Sequence, residues 1–312
     1  MKKVLIIGAA GFVGNHLIDH IKEKYESWDL VCTKIPSESI DKDVTVFDLD
    51  ITDKTQIINL LKEVNPDYIF HLAAQSSVAL SWKNPSLTID INIKGTVNLL
   101  ESIRELGMNP RILLIGSGEE YGRVKENEIP ISEDNNTRPG NIYAITKVTQ
   151  NMIGKVYSDA YNLDIMSTRS FNHTGPNQAP MFVVADFCKQ VADIEKGEQE
   201  AIIRVGNLSA KRDFTDVRDV VKAYTSLIEK GEKGETYNVG SGKAIEIQAI
   251  LDTILSLSTK EIVVEIDQNK LRPIDVPIIE ADITKLQSDT GWKPEINIEE
   301  TIKDTLEFYR GK

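Results

Sequence analysis

Lys3-Val4-Leu5-Ile6-Ile7, followed at once by Gly8-Ala9-Ala10-Gly11-Phe12-Val13-Gly14, is the stretch on which the fold turns. The apolar run has the length of a strand and reads as one buried on both faces of a parallel sheet. The glycines permit a tight turn and let backbone N–H groups approach a pyrophosphate at the N-terminus of the next helix. Leu17, Ile18 and Ile21 continue that helix with an apolar face. Gly8, Gly11, Phe12, Val13 and Gly14 are therefore the first candidates for holding a dinucleotide. A glycine turn with only a structural job has the same composition, and the strand before it and the helix after it favour the nucleotide.

Downstream, strand-like segments at 29–33, 44–47, 68–72, 111–115 and 165–168 alternate with helical periodicity such as Ile57, Leu60, Leu61 and Val64. Asp53 with Gln56 three residues later is a capping-box-like start for that helix. The βαβα repetition predicts an α/β, Rossmann-type doubly wound parallel sheet with ligands at the carboxyl ends of its strands. After Phe171 the alternation loosens, and Gly175-Pro176-Asn177-Gln178-Ala179-Pro180 is a loop by composition. We expect a nucleotide-binding domain over 1–170 with a returning segment at about 213–242, and a smaller substrate-binding lobe from 171–212 and 243–312.

Composition narrows the function. A chain of 312 residues, 41% hydrophobic and 27% charged, supports a large core. A formal net charge of −12 argues against a nucleic-acid surface. No apolar run reaches a membrane span, and the segment after Met1-Lys2-Lys3 stops at a glycine turn, so it is a first strand and not a secretory signal. Cys32 and Cys188 lie far apart without metal-like spacing, and His16, His20, His71 and His173 form no ligand pattern. The expectation is a cytoplasmic protein without a metal.

Tyr143 and Lys147, four residues apart, share one helix face. A fixed ammonium stabilises phenolate, so the phenol is expected to titrate below its free value and to exchange a proton while hydride moves between a nicotinamide and a carbonyl or alcohol carbon. Alone, such a pair is more often a solvated Lys beside an interfacial Tyr. Gly116-Ser117-Gly118-Glu119-Glu120-Tyr121-Gly122 changes the weighing, together with Leu72-Ala73-Ala74-Gln75, Asn92-Ile93-Lys94-Gly95-Thr96, Arg212-Asp213-Phe214-Thr215-Asp216-Val217-Arg218-Asp219, Asn238-Val239-Gly240-Ser241-Gly242 and Thr290-Gly291-Trp292-Lys293-Pro294. With the Gly-x-x-Gly-x-x-Gly turn, these pieces resemble, nearly end to end, the extended short-chain dehydrogenase/reductases.

That resemblance implies catalytic roles for Ser117, Tyr143 and Lys147, with Lys147 also holding the nicotinamide ribose, and an acid/base carboxylate at Glu119. It implies a cofactor site extended by Thr33, Lys34, Asp50, Ile51, Leu72, Ala73 and Ala74. Cys32-Thr33-Lys34 lacks the acidic residue that would disfavour a 2′-phosphate, and Lys34 could pair with one, so NADP is favoured and NAD stays open. For substrate the resemblance points to Gln75, Ser117, Glu119, Asn172, Arg212 and Arg272, the two arginines facing a diphosphate.

Phe171-Asn172-His173-Thr174-Gly175-Pro176-Asn177-Gln178 resembles the substrate loop of the branch acting on GDP-mannose derivatives. The implied activity is NAD(P)H-dependent reduction of the 4-keto group of GDP-4-keto-6-deoxy-D-mannose to GDP-D-rhamnose. The rival is 4,6-dehydration of GDP-mannose, kept open by Glu119. Gly118 removes one candidate acid but decides little, and Thr174-Gly175-Pro176 departs from the Glu-Ser-Pro expected of a dehydratase. A 4-epimerase and a non-enzymatic nucleotide sensor are weaker readings. Ile89, Ile91, Ile93, Val97, Leu99 and Leu100 on one segment, and Ile145, Val148, Met152, Ile153 and Val156 on another, exceed a single apolar stripe, from which a homodimer is expected.

Overall fold

The computed structural model describes residues 1–270 and 276–312. Its first strand, β1 (Lys2–Ile7), is buried from Val4 onward and lies in the interior of a seven-stranded, all-parallel sheet. On one side lie β2 (Trp28–Lys34) and β3 (Thr45–Asp48); on the other lie β4 (Tyr68–His71), β5 (Arg111–Ser117), β6 (Ile165–Ser170) and, at the far edge, a strand from much later in the chain, Thr236–Val239. The chain reverses direction of growth between β1 and β4, which opens a crevice at their carboxyl ends. The glycine turn leads out of β1 there.

Helix α1 (Phe12–Lys24) starts directly from that turn. Leu17, Ile18 and Ile21 are fully buried, and each contributes about 1.5–3 kcal/mol. Two glycines make the approach possible. Gly8 has φ +85, and a Cβ on it would stand 2.6 Å from Ala73 Cα; a Cβ on Gly14 would collide with the Ala9 backbone carbonyl.

Opposite α1, helices α2 (Lys54–Val64), α5 (Gly95–Glu105) and α6 (Ile142–Tyr161) cover the other face through Ile57, Leu61, Leu100 and Ile103. Asp53 caps α2 as expected by accepting from the Thr55 and Gln56 N–H groups. Gln56 does not close a capping box: its oxygen accepts from Asp50 N at 3.0 Å, fastening the turn after β3 instead. Between α2 and α5 come α3 (Val78–Lys83) and α4 (Pro85–Ile89). From α4 the backbone stays helical through a π turn, Asp90–Lys94, into α5.

Beyond β6 the chain builds a second layer. β7 (Asn172–Thr174), β9 (Lys211–Asp216), β11 (Ala244–Glu246) and β13 (Ile278–Ile279) form a four-stranded sheet, and β8 (Ile202–Val205) pairs with β12 (Val263–Ile266). Their core is closed by α7 (Val183–Lys196), α9 (Ile247–Ser256) and α11 (Ile298–Arg310). The returning elements are α8 (Val217–Lys230), packed on α1, and β10 (Thr236–Val239), paired with β6. A further stretch returns as well: Ala281, Ile283, Leu286 and Trp292, around α10 (Thr284–Thr290), join the core on the α1 and α8 face. Expectation had put that stretch in the lobe. Asn172 likewise lies on a short strand paired with β9, not in a free loop.

The close packing at the glycine turn has a measurable consequence. Gly14→Ala should lower stability by about 1–3 kcal/mol, because the added methyl has only backbone to displace. Gly140→Ala, where a Cβ meets nothing within 4 Å, should change it by less than about 0.5 kcal/mol. Urea denaturation of both variants checks the pair, and equal midpoints would contradict it.

Candidate active site

Ser117 is the last residue of β5, at the carboxyl edge of the sheet, and Tyr143 and Lys147 face it from the first turns of α6. Asn141 caps that helix, accepting from Ala144 N at 2.8 Å. The α6 stripe turned to the sheet is polar for its length: Tyr143, Thr146, Lys147, Gln150, Asn151 and Ser158 are all buried. Such a stripe persists only where each group finds a partner. Lys147 Nζ donates to the Ile115 carbonyl at 2.7 Å and to Gln150 Oε1 at 3.2 Å. Asn92, inside the π turn, receives the Gln75 N–H at 2.8 Å and donates to the Gln75 carbonyl and to Thr146 Oγ1, tying the β4 loop to α6.

Electrostatics corrects one expectation. Burial pushes the Tyr143 phenol well above its ordinary range, with a hydrogen bond from Ser117 acting in the opposite sense. Lys147 is pushed down to about 8 by the same burial, with Glu120 opposing. The ammonium is directed at Ile115 and Gln150, so it does not offset the desolvation of the phenol. Tyr143 is thus held protonated, which suits a proton donor.

Glu119 stands half-buried beside this group, its carboxylate accepting from Asn141 Nδ2 at 3.1 Å, while its N–H donates to Ser117 Oγ at 3.2 Å. Gly8, Gly11 and Gly14 lie in and after the turn that ends β1, across β4 from this group, with Leu72, Ala73 and Ala74 alongside. The cradle fits a dinucleotide. A Cβ on Gly11 would meet only the Gly8 carbonyl, at 3.8 Å, and α1 has neither a side-chain cap nor an acidic residue in its first turn, leaving N–H groups to receive an anion. Phe12 is held between His16 at 5.3 Å and His173 at 6.2 Å, so the turn and the strand carrying Asn172 pack together. Ile51 is buried against α5, where Gly95 makes room for it, and Asp50 accepts from Thr52 at the same corner.

Several expected contacts are differently employed. Thr33 is buried, and its hydroxyl accepts from Gly8 N at 3.1 Å, so it shapes the glycine turn. Lys34 is paired with Asp48 at 2.6 Å, a carboxylate that would compete with a 2′-phosphate. The Gln75 amide is taken up by Ser77 and Thr88, which fastens the loop after β4. Arg212 donates to the Lys211 and Val276 carbonyls, and Arg272 lies outside the described residues. Asn172 is exposed at the mouth of the crevice. Sequence reasoning missed Asn92, Asn141 and Glu120. Asn92 lay within a quoted motif without a role, and the Ser117-x-x-Glu120 spacing is itself a capping signal.

Comparison with known proteins agrees with this architecture. The family model described as GDP-mannose 4,6 dehydratase matches residues 5–305. GDP-6-deoxy-D-mannose reductase of Pseudomonas aeruginosa is 30% identical over 311 residues, covering 100% of this chain and 98% of that one. GDP-mannose 4,6-dehydratase of Yersinia enterocolitica is 27% identical over 350 residues, covering 98% and 93%. Among solved structures, RMD from Pseudomonas aeruginosa complexed with NADPH superposes with a TM-score of 0.90 at 30% identity, covering 100% and 99%. The Thermus thermophilus UDP-glucose 4-epimerase complex with NAD gives 0.87 at 28% identity, covering 99% of each chain. With the glycine turn, the Ser, Tyr and Lys at one sheet edge and a match over nearly its whole length, the chain belongs to the GDP-mannose 4,6-dehydratase family of the extended short-chain dehydrogenase/reductases.

Proposed function

We propose that the protein reduces the 4-keto group of GDP-4-keto-6-deoxy-D-mannose to the alcohol of GDP-D-rhamnose, using NADPH or NADH. The observation that carries this reading is the convergence of Ser117, Tyr143 and Lys147 at the end of β5, on the same carboxyl edge of the sheet as the glycine turn that follows β1. The nicotinamide, when bound, supplies hydride to C4. Tyr143 supplies the proton to the ketone oxygen, and its elevated pKa keeps that proton in place at neutral pH. Ser117 accepts the Glu119 N–H, and its hydroxyl, which bonds to the Tyr143 phenol here, turns its hydrogen to the ketone oxygen when substrate is bound. In this reading Lys147, one helical turn from Tyr143 on the same face, holds the nicotinamide ribose. Asn172 and Arg212 are the proposed contacts for the nucleotide diphosphate.

The dehydratase reading keeps one observation in its favour, the Glu119 carboxylate next to Ser117. One observation weighs against it. Thr174, where a dehydratase is expected to carry Glu, is fully buried and donates to Gln178 Oε1 at 2.8 Å.

The active unit is a homodimer in this reading. Ile145, Met152 and Val156 on α6 are exposed, Met152 by 64%, and Leu80, Leu87 and Ile89 on the adjoining α3 and α4 extend the apolar face. They do not pack under the lobe. No described helix is long and apolar enough to cross a membrane, and both cysteines are buried free thiols, which accords with a cytoplasmic enzyme.

Three outcomes follow for these assignments. Tyr143→Phe should lose on the order of 10²-fold or more in turnover while retaining cofactor binding, measured by nicotinamide absorbance and fluorescence; near-normal turnover would remove Tyr143 from the chemistry. Wild-type protein given GDP-mannose alone should form no 4-keto sugar, and Glu119→Gln should keep substantial reductase activity, both read by NMR of the products. A 4-keto product abolished by Glu119→Gln would establish the dehydratase instead. Light scattering should give a mass about twice the 34.9 kDa of one chain, and Met152→Glu should lower it; a wild-type monomer would reject the dimer.

A further inference from the structure

Glu120 is fully buried, one residue beyond Glu119, and its carboxylate reaches back to the backbone of Ser117 at the catalytic strand end. Oε1 accepts from Ser117 N at 2.9 Å, and Oε2 accepts from Asn151 Nδ2 at 3.3 Å and from Arg169 Nε at 3.1 Å. Every partner is a donor, which favours the carboxylate, while burial pushes its pKa upward against the Arg169 charge and the Ser117 and Asn151 hydrogen bonds. Room for it comes from Gly116, where any Cβ would collide with Glu120 Oε1 and the Thr168 carbonyl. Arg169 is held in turn by the Tyr121 hydroxyl at 3.0 Å, the Glu133 carbonyl at 3.1 Å and the face of the Tyr121 ring at 4.7 Å.

Resting on the catalytic roles proposed above, we infer that Glu120 is the positioning residue of this site: its carboxylate clamps the 115–117 strand end, which presents the Ser117 hydroxyl and the Ile115 carbonyl that anchors Lys147. One carboxylate thus joins the β5 end, α6 through Asn151 and β6 through Arg169, the three elements whose relative placement fixes Ser117 against Tyr143 and Lys147. Its charge also supports the ammonium of Lys147, whose Coulombic partner it is. The other titratable groups around this pair are few. His71 on β4 is held neutral at about 3 by burial, Tyr143 shares α6 with Lys147, Arg169 faces Glu120 from β6, Glu119 adjoins it, and Tyr121 and Glu133 lie beyond Arg169.

Two variants separate position from charge. Glu120→Asp keeps the charge opposite Arg169 but withdraws it by one methylene from Ser117 N, so kcat should fall about tenfold or more with NADPH affinity within about twofold. Glu120→Gln keeps the shape and removes the charge, so the pH above which NADPH affinity declines should drop by about one unit, followed by fluorescence titration of NADPH. Melting curves control for folding, and Glu120→Asp decides alone where Glu120→Gln does not fold. Glu120→Asp at wild-type kcat, or a folded Glu120→Gln with an unchanged pH dependence of NADPH binding, would overturn the inference. Wild-type turnover and its loss in Tyr143→Phe test the underlying reading separately, and the binding arm needs no turnover.

Discussion

One positive charge in a dry place organises this molecule. The Lys147 ammonium lies inside the fold, where an unpaired ion is destabilised by several kcal/mol. The structure answers with the Ile115 carbonyl, the Gln150 amide oxygen and the nearby Glu120 carboxylate. Glu120 is itself buried and needs Arg169, and Arg169 needs Tyr121 and the Glu133 carbonyl. The chain of compensation runs outward from the catalytic face to the surface across three elements. A polar helix stripe packed on a hydrophobic sheet is stable only because this sequence of partners is complete.

Close backbone contact serves the same end. Gly8 lets the first turn lie against Ala73, Gly14 lets α1 lie against Ala9, Gly95 admits Ile51, and Gly154 brings α6 down onto Leu114. These contacts set the distance between the nucleotide cradle and the Ser117, Tyr143 and Lys147 group. Side-chain chemistry then works on a backbone frame with little freedom to drift.

The strands, the glycine turn and the Tyr143 to Lys147 face could be read from sequence because their signals are local, a run, a spacing or a period. What escaped depends on burial and on partners distant in the chain. The fall in pKa expected of Tyr143 rested on a neighbouring charge, whereas the fold removes so much water that desolvation prevails. Thr33 and Gln75 occupy the expected places, yet their polar atoms are committed to Gly8 and to Ser77 and Thr88, commitments no local pattern reveals. Glu120 carried a local signal, Ser-x-x-Glu, that was overshadowed by the adjacent Glu119. The placement of Leu286 and Trp292 against α8 is a tertiary choice made some sixty residues downstream, beyond the reach of periodicity.

The π turn at Asp90–Lys94 divides the phase of a helix that runs from Pro85 to Glu105. An α-helix advances about 100° per residue, and one widened turn accommodates about one residue more than a regular turn would. Ahead of it Leu87 and Ile89 face outward; within it Asn92 faces in; after it Leu99, Leu100 and Ile103 line the core. Removing a single residue here would give a more regular helix and a worse protein. The smoothed rod would either swing Asn92 off Gln75 and Thr146 or turn the Leu99 to Ile103 face out of register with the sheet. The irregularity is therefore a joint between two rotational settings, one set by the outer apolar face and the other by the core.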